Sequence, residues 1–82
     1  LPKKNLKKQC IAPNLTNEHF IAQSWCFKNK IYLYVIYVGN NTYKPVMRYK
    51  GKETISDIEY DYKTISQVYW DGYLKIYKNK KN

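Results

Sequence analysis

The eight residues from Ile31 to Val38 read Ile-Tyr-Leu-Tyr-Val-Ile-Tyr-Val, with no charge, proline or glycine, in a chain where fourteen of 82 residues are lysine. Branched and aromatic side chains in a run of this length favour a β-strand, and the run falls far short of the roughly 18 apolar residues a membrane span needs. Successive strand residues point to opposite faces, so a run apolar at every position is expected to be covered on both sides. The rest of the chain is therefore read as what surrounds a central strand.

Turn residues follow at Gly39, Asn40 and Asn41, all tolerant of positive φ. Thr42 to Lys50 then alternates Tyr43, Pro45, Met47 and Tyr49 against Lys44, Val46, Arg48 and Lys50, the pattern of a half-exposed second strand. Pro45 cannot donate to a ladder, which places it at an edge or a bulge. Beyond Gly51, the residues Ile58, Tyr60 and Tyr62 alternate with Asp57, Glu59 and Asp61. Such a carboxylate row fits calcium, an acid/base pair or a solvated face. A four-residue loop at 51–54 would set Arg48 opposite Asp57 and Lys44 opposite Asp61, and these opposite-charge pairs favour the solvated face.

The segment Val68-Tyr69-Trp70-Asp71-Gly72-Tyr73-Leu74 carries the strongest local turn signal, because Asp-Gly favours the type I′ turn that matches strand twist. A hairpin there faces Trp70 with Tyr73 across the turn. Upstream, Thr16 or Asn17 can cap a short helix carrying Phe20, Ile21 and Trp25, while Ile21, Gln23, Trp25 and Phe27 also alternate as a strand. A turn at Asn29 and Lys30 brings Trp25 to Tyr34 and Phe27 to Tyr32, on the face assigned to Ile36, Tyr43 and Met47, which favours the strand. The expected fold is all-β or mainly β: an antiparallel meander of five to six strands, with room for one short N-terminal helical turn near residues 16–20.

A domain of this size buries only about 60 to 65 per cent of the surface its unfolded chain exposes, so reinforcement is expected. Cys10 and Cys26 are the only two cysteines, and a bridge between them, closing about 15 residues, would contribute on the order of 3 kcal/mol. The bridge, with a chain starting at Leu1 as a processed chain would, points to a secreted or periplasmic location. Asn14-Leu15-Thr16 and Asn40-Asn41-Thr42 match the glycosylation acceptor pattern.

The net charge is +9, but its distribution matters more than its sum. Lys3, Lys4, Lys7, Lys8, Lys78, Lys80 and Lys81 lie near the ends, and removing these seven from fifteen basic groups leaves eight against six acidic ones, or +2. The chain divides into a basic arm (1–9), one β-rich domain (10–78) and a basic tail (79–82). Arg48 is the single arginine, whereas base and phosphate recognition favours the planar arginine fork.

No catalytic constellation passes inspection. His19 is the one histidine and has no nucleophile at a recognised spacing; a small basic ribonuclease would need it to pair with a lysine or tyrosine as acid and base. The cysteines and histidine match no zinc pattern, so neither metal nor cofactor is expected. The expected function is a non-enzymatic extracytoplasmic module docking a protein partner, such as an inhibitor, an immunity protein or a sensor accessory, with Trp70, Tyr73, Tyr69 and Arg48 at the interface. The alternative is a polyanion or nucleic-acid binder acting through its lysine tails.

Overall fold

The structure, a computed structural model, describes residues 13–81, except the side chain of Lys81. It is a mixed α/β fold rather than a β meander. A helix α1 (Asn17–Lys28) leads into strands β1 (Ile31–Gly39), β2 (Thr42–Tyr49), β3 (Lys52–Ile55) and β4 (Tyr60–Asp61), and a long helix α2 (Tyr62–Lys81) ends the chain. All four strands are antiparallel, β2 pairing with β1 on one side and with β3 and β4 in succession on the other. No helix among the described residues is long and apolar enough to cross a membrane.

Residues 21–27 become helix because the cap decides what alternation left open. Thr16 takes extended backbone angles, φ −121° and ψ 169°, as a helix N-cap does. The Nδ1 atom of His19 accepts the Thr16 N–H at 3.0 Å, the reach-back of a capping box made here by a histidine. Once helical, His19, Ala22 and Cys26 form the buried stripe. Helical periodicity at i, i+3 and i+7 thus outweighs the period-two pattern of Ile21, Gln23, Trp25 and Phe27.

The expected hairpin at Asp71-Gly72 is instead the middle of α2. Ile65, Tyr69 and Tyr73 recur every four residues and face the core, with Leu74, Ile76 and Tyr77 beside them. That stripe overrides a two-residue turn signal. Glycine inside a helix costs about 1 kcal/mol relative to alanine. Here it serves a close approach: a Cβ on Gly72 would lie 2.8 Å from Cδ1 of Leu33 on β1. At the helix start, the Asp61 carboxylate accepts the Thr64 N–H at 2.9 Å. Hydrogen bonds from Thr64 hold this carboxyl below the usual range, so the cap contributes at neutral pH and is lost as pH falls through the depressed value. The tail expected at 79–82 is, as far as Lys81, the last turn of α2.

Both β hairpins are tighter than expected. Asn40 and Asn41 (φ 54° and 61°) join β1 to β2, and Lys50 and Gly51 (φ 55° and 76°) join β2 to β3, each a two-residue turn with positive φ whose twist suits paired strands. The second turn sets Arg48 opposite Glu53 rather than Asp57, and Asp61 opposite Thr42 rather than Lys44. Pro45 sits in β2 where its outer neighbour breaks off, since β3 ends at Ile55, β4 begins at Tyr60, and Ser56 donates its N–H to the Pro45 carbonyl at 3.1 Å. The residue lacking an N–H faces the gap in the third row.

Cross-strand partners share a face, so Ile31, Leu33, Met47 and Tyr49 form one surface. These are the sheet residues that pack into the core with Ala22, Cys26, Tyr69 and Tyr73. Both helices therefore lie on that face. Ile36 is opposite Lys44 and points the other way from Met47 and Tyr43, which corrects their expected common face. Trp25 stacks edge-on with Tyr77 rather than meeting Tyr34. β1 lies at the sheet edge and is not the expected central strand.

No disulfide is found among the described residues. Cys26 is a free thiol at 0 % exposure in the core, its Sγ 4.0 Å from the Tyr73 carbonyl oxygen. Burial raises its pKa and keeps it protonated. The reinforcement expected from a bridge comes instead from helix-on-sheet packing. Cys10 and the basic arm 1–9 lie outside the described residues. In a Cys10→Ser variant, Cys26 should react with iodoacetamide at least a hundredfold more slowly in the native state than in 6 M guanidinium; equal rates would contradict its burial.

The Tyr73 hydroxyl accepts the Leu33 N–H and donates to the Leu33 carbonyl, both at 3.3 Å, and lies 3.1 Å from the Tyr69 hydroxyl. Burial and the Tyr69 hydrogen bond raise its pKa, so it stays a donor. Tyr73→Phe leaves the Leu33 backbone pair unmatched and should cost about 1–3 kcal/mol, read as a lowered urea midpoint at unchanged m-value.

Candidate docking face

Among the described residues, helices cover one face of the sheet and none covers the other. With both helices against the row holding Leu33 and Met47, the opposite row of β1 presents Tyr32, Tyr34 and Ile36, and the exposed Val38 follows in the irregularity at the strand's end. Across from them β2 contributes Lys44, Val46 and Arg48, and β3 adds Glu53 and Ile55. Antiparallel sheets with one solvated face normally turn polar residues outward. On β1 this row carries no charge.

Its middle is closed to solvent. Val46, flanked by its cross-strand partners Tyr34 and Ile55, is only 2 % exposed. Tyr32, Val38 and Ile55 remain exposed around it. The Tyr34 hydroxyl donates to the Glu53 carboxylate, which raises the tyrosine pKa. Arg48 lies exposed between Tyr32 and Glu53, its partners on the neighbouring strands. Phe27, at the end of α1, stacks with Tyr32 at 5.7 Å between centroids. The result is an aromatic and aliphatic patch with Lys44 and Arg48 as its cations, the Glu53 carboxylate engaged by tyrosine, and Asp61 and Glu59 at its Thr42 end.

Of the four residues expected at the interface, Arg48 alone lies on this face. Tyr73 is a fully buried core residue. Tyr69 and Trp70 are half-buried on α2, Trp70 packing edge-on against Phe20 at 5.3 Å and Tyr69 at 5.5 Å. On that side an open notch of about 370 Å3 is lined by Phe20, Ile21, Ser24, Trp25, Lys28 and Tyr77. The row through Tyr32, Tyr34 and Ile36 is legible in the sequence as half of an apolar run. Apolar residues on both faces predict cover on both, whereas the described helices pack on one face only.

One cluster has the outline of a catalytic triad. Thr16 Oγ1 lies 3.1 Å from His19 Nδ1, and His19 Nε2 lies 2.9 Å from Asp71 Oδ1. Nδ1 is already the acceptor for the Thr16 backbone N–H, so the ring donates through Nε2 to Asp71, which also accepts from Gln67 at 2.9 Å. The imidazole is buried and both nitrogens are engaged. Its chemistry is that of a staple between the start of α1 and the middle of α2. No group of three or more His, Cys, Asp or Glu side chains among the described residues could hold a metal ion.

No family model, no curated protein and no solved structure matches the chain. His19→Ala removes both halves of the staple and should destabilise the fold by about 1–3 kcal/mol, seen as a lower thermal midpoint; an unchanged midpoint would mean that the capping and Asp71 contacts carry no net stability.

Proposed function

We propose that this chain is a non-enzymatic binding module whose bare sheet face docks an acidic partner protein through an apolar patch. The observation that carries the reading is the uncharged row Tyr32, Tyr34 and Ile36, continued by the exposed Val38, over which no described helix lies. An apolar patch rimmed by polar residues is the usual form of an interaction surface. Branched aliphatic residues such as Ile36, Val38 and Ile55 suit a protein surface better than nucleobases, which favour planar stacking partners. Arg48 and Lys44 on the face, within a chain of net charge +9, call for carboxylates on the partner. Support for binding rather than catalysis comes from His19, whose two ring nitrogens are both engaged in holding the helices.

One observation favours a second reading, polyanion binding. The ammonium groups of Lys50 and Lys80 both lie over the Tyr49 ring, at 5.2 and 5.3 Å from its centroid. This gathers positive charge at the end of β2 and α2. Binding of that kind would weaken steeply with salt.

The two readings separate in a photo-crosslinking experiment in native cells, with a benzophenone amino acid at position 36 or, as control, at the exposed Lys63. The expected result is a protease-sensitive adduct with another protein at 36, absent at 63 and lost in an added Val38→Asp variant. No adduct at 36, equal adducts at both positions, persistence in Val38→Asp, or an adduct of this chain with itself alone would overturn the proposal. A nuclease-sensitive adduct would do so in favour of the polyanion reading.

A further inference from the structure

Among the described residues no strand pairs with the outer edge of β1, and the hydrogen bonds of its neighbours show which backbone groups point out of it. The Leu33 N–H and C=O both meet the Tyr73 hydroxyl, so neither is turned towards β2. Antiparallel pairs alternate between hydrogen-bonded and non-hydrogen-bonded positions. The Leu33–Met47 pair is therefore of the second kind, as are Val35–Pro45 and Tyr37–Tyr43 two and four residues on. Pro45 confirms the phase from the other strand, because its carbonyl turns away from β1 to accept the Ser56 N–H. The N–H and C=O groups of Leu33, Val35 and Tyr37 thus all point out of the sheet.

Tyr73 closes this edge at Leu33, and Phe27 stacks beside it on Tyr32. Farther along, Val35 and Tyr37 are 36 % and 60 % exposed. No described residue supplies a bond to their outward backbone groups. Natural sheets guard such edges with lysine, proline, an inward charge or a bulge. Between Ile31 and Tyr37 this chain has none of these, although lysine is abundant elsewhere. The irregularity between Tyr37 and Gly39, where Gly39 takes φ 95°, comes only at the end of the open stretch.

We propose that the open half of the β1 edge pairs with the same edge of a second copy of this chain, antiparallel about a two-fold axis at Ile36. The register follows from the phase. Setting Ile36 opposite Ile36 of the second copy places each Val35 opposite the other copy's Tyr37. Both are outward-pointing residues, so the two pairs exchange four N–H···O=C bonds. Two aromatic–branched pairs face each other, a favourable cross-strand combination. No charged residue of the segment meets a like charge. A strand rich in carboxylates or lysines would find no complement there, which argues for a copy over a charged foreign strand. The proposal rests on the edge of β1 and not on its face, so it stands or falls separately from the docking of an acidic partner.

The two copies also carry +9 each, and screening their repulsion should tighten the pairing as salt rises, the reverse of polyanion binding. Sedimentation equilibrium of the full chain from 1 to 500 μM tests this. A species of twice 9.9 kDa, strengthened between 50 and 500 mM salt, is expected. Val35→Pro removes one outward N–H without touching the ladder to β2, and Tyr37→Lys places a lysine on the edge. Each should weaken dimerisation at least tenfold with an unchanged circular dichroism spectrum; if the proline variant fails to fold, the lysine variant decides. A monomer throughout the range, or a dimer indifferent to the folded variants, would overturn the proposal.

Discussion

The contact of α2 with β1 around Gly72 is the constraint on which the rest of the structure depends. Gly72 allows the helix backbone to lie against Leu33, and the next residue, Tyr73, passes its hydroxyl to the Leu33 backbone at the sheet edge. One turn of helix thus sets the distance to the sheet and seals half of an edge strand. The buried Tyr73 ring meets Phe27, Tyr69 and Trp70. In a chain this short, a few aromatic residues supply much of the apolar burial that a larger domain spreads over many aliphatic ones.

The division of labour across the sheet follows. With both helices on the Leu33 side, α1 is tied to α2 through the Cys26 contact and the His19–Asp71 bond. The described residues thus form two layers, with no second helical layer among them. The cost falls on β1, whose residues are apolar on both faces and whose edge is open from Val35 onward. Exposed apolar surface and unpaired strand edges are liabilities that natural chains tend to remove. Keeping both on the same eight residues makes β1 the place to look for contacts with other molecules.

Charge and apolar surface play different parts. The acidic groups Glu59 and Asp61 bond Thr42 and Thr64 near the start of α2, while Lys75, Lys78 and Lys80 lie along its second half. This arrangement complements the helix dipole and gives the molecule a positive end. Such an end steers approach and selects for acidic partners. A closely packed row of Tyr, Ile and Val supplies the specific contact.

What the sequence by itself determined is local. The strand at Ile31 to Val38, the turns at Asn40-Asn41 and near Gly51, and the half-exposed strand through Arg48 follow from side-chain branching, alternation and positive-φ residues acting over a few positions. Thr16 was recognisable as a helix cap, though not strongly enough to outweigh alternation at Ile21 to Phe27. The tertiary structure alone decided the rest. Asp71-Gly72 is a good hairpin turn in isolation, and only the sheet packed against the Ile65, Tyr69 and Tyr73 stripe makes it helix. Two cysteines looked like a staple until one was seen to fill the core as a thiol. Whether an apolar face is covered depends on how many layers the whole chain can build, and no single segment carries that information. The same limit hid the candidate face: Tyr32, Tyr34 and Ile36 are legible in the sequence as apolar, but only the packing of both helices on the other side leaves them without a helix over them.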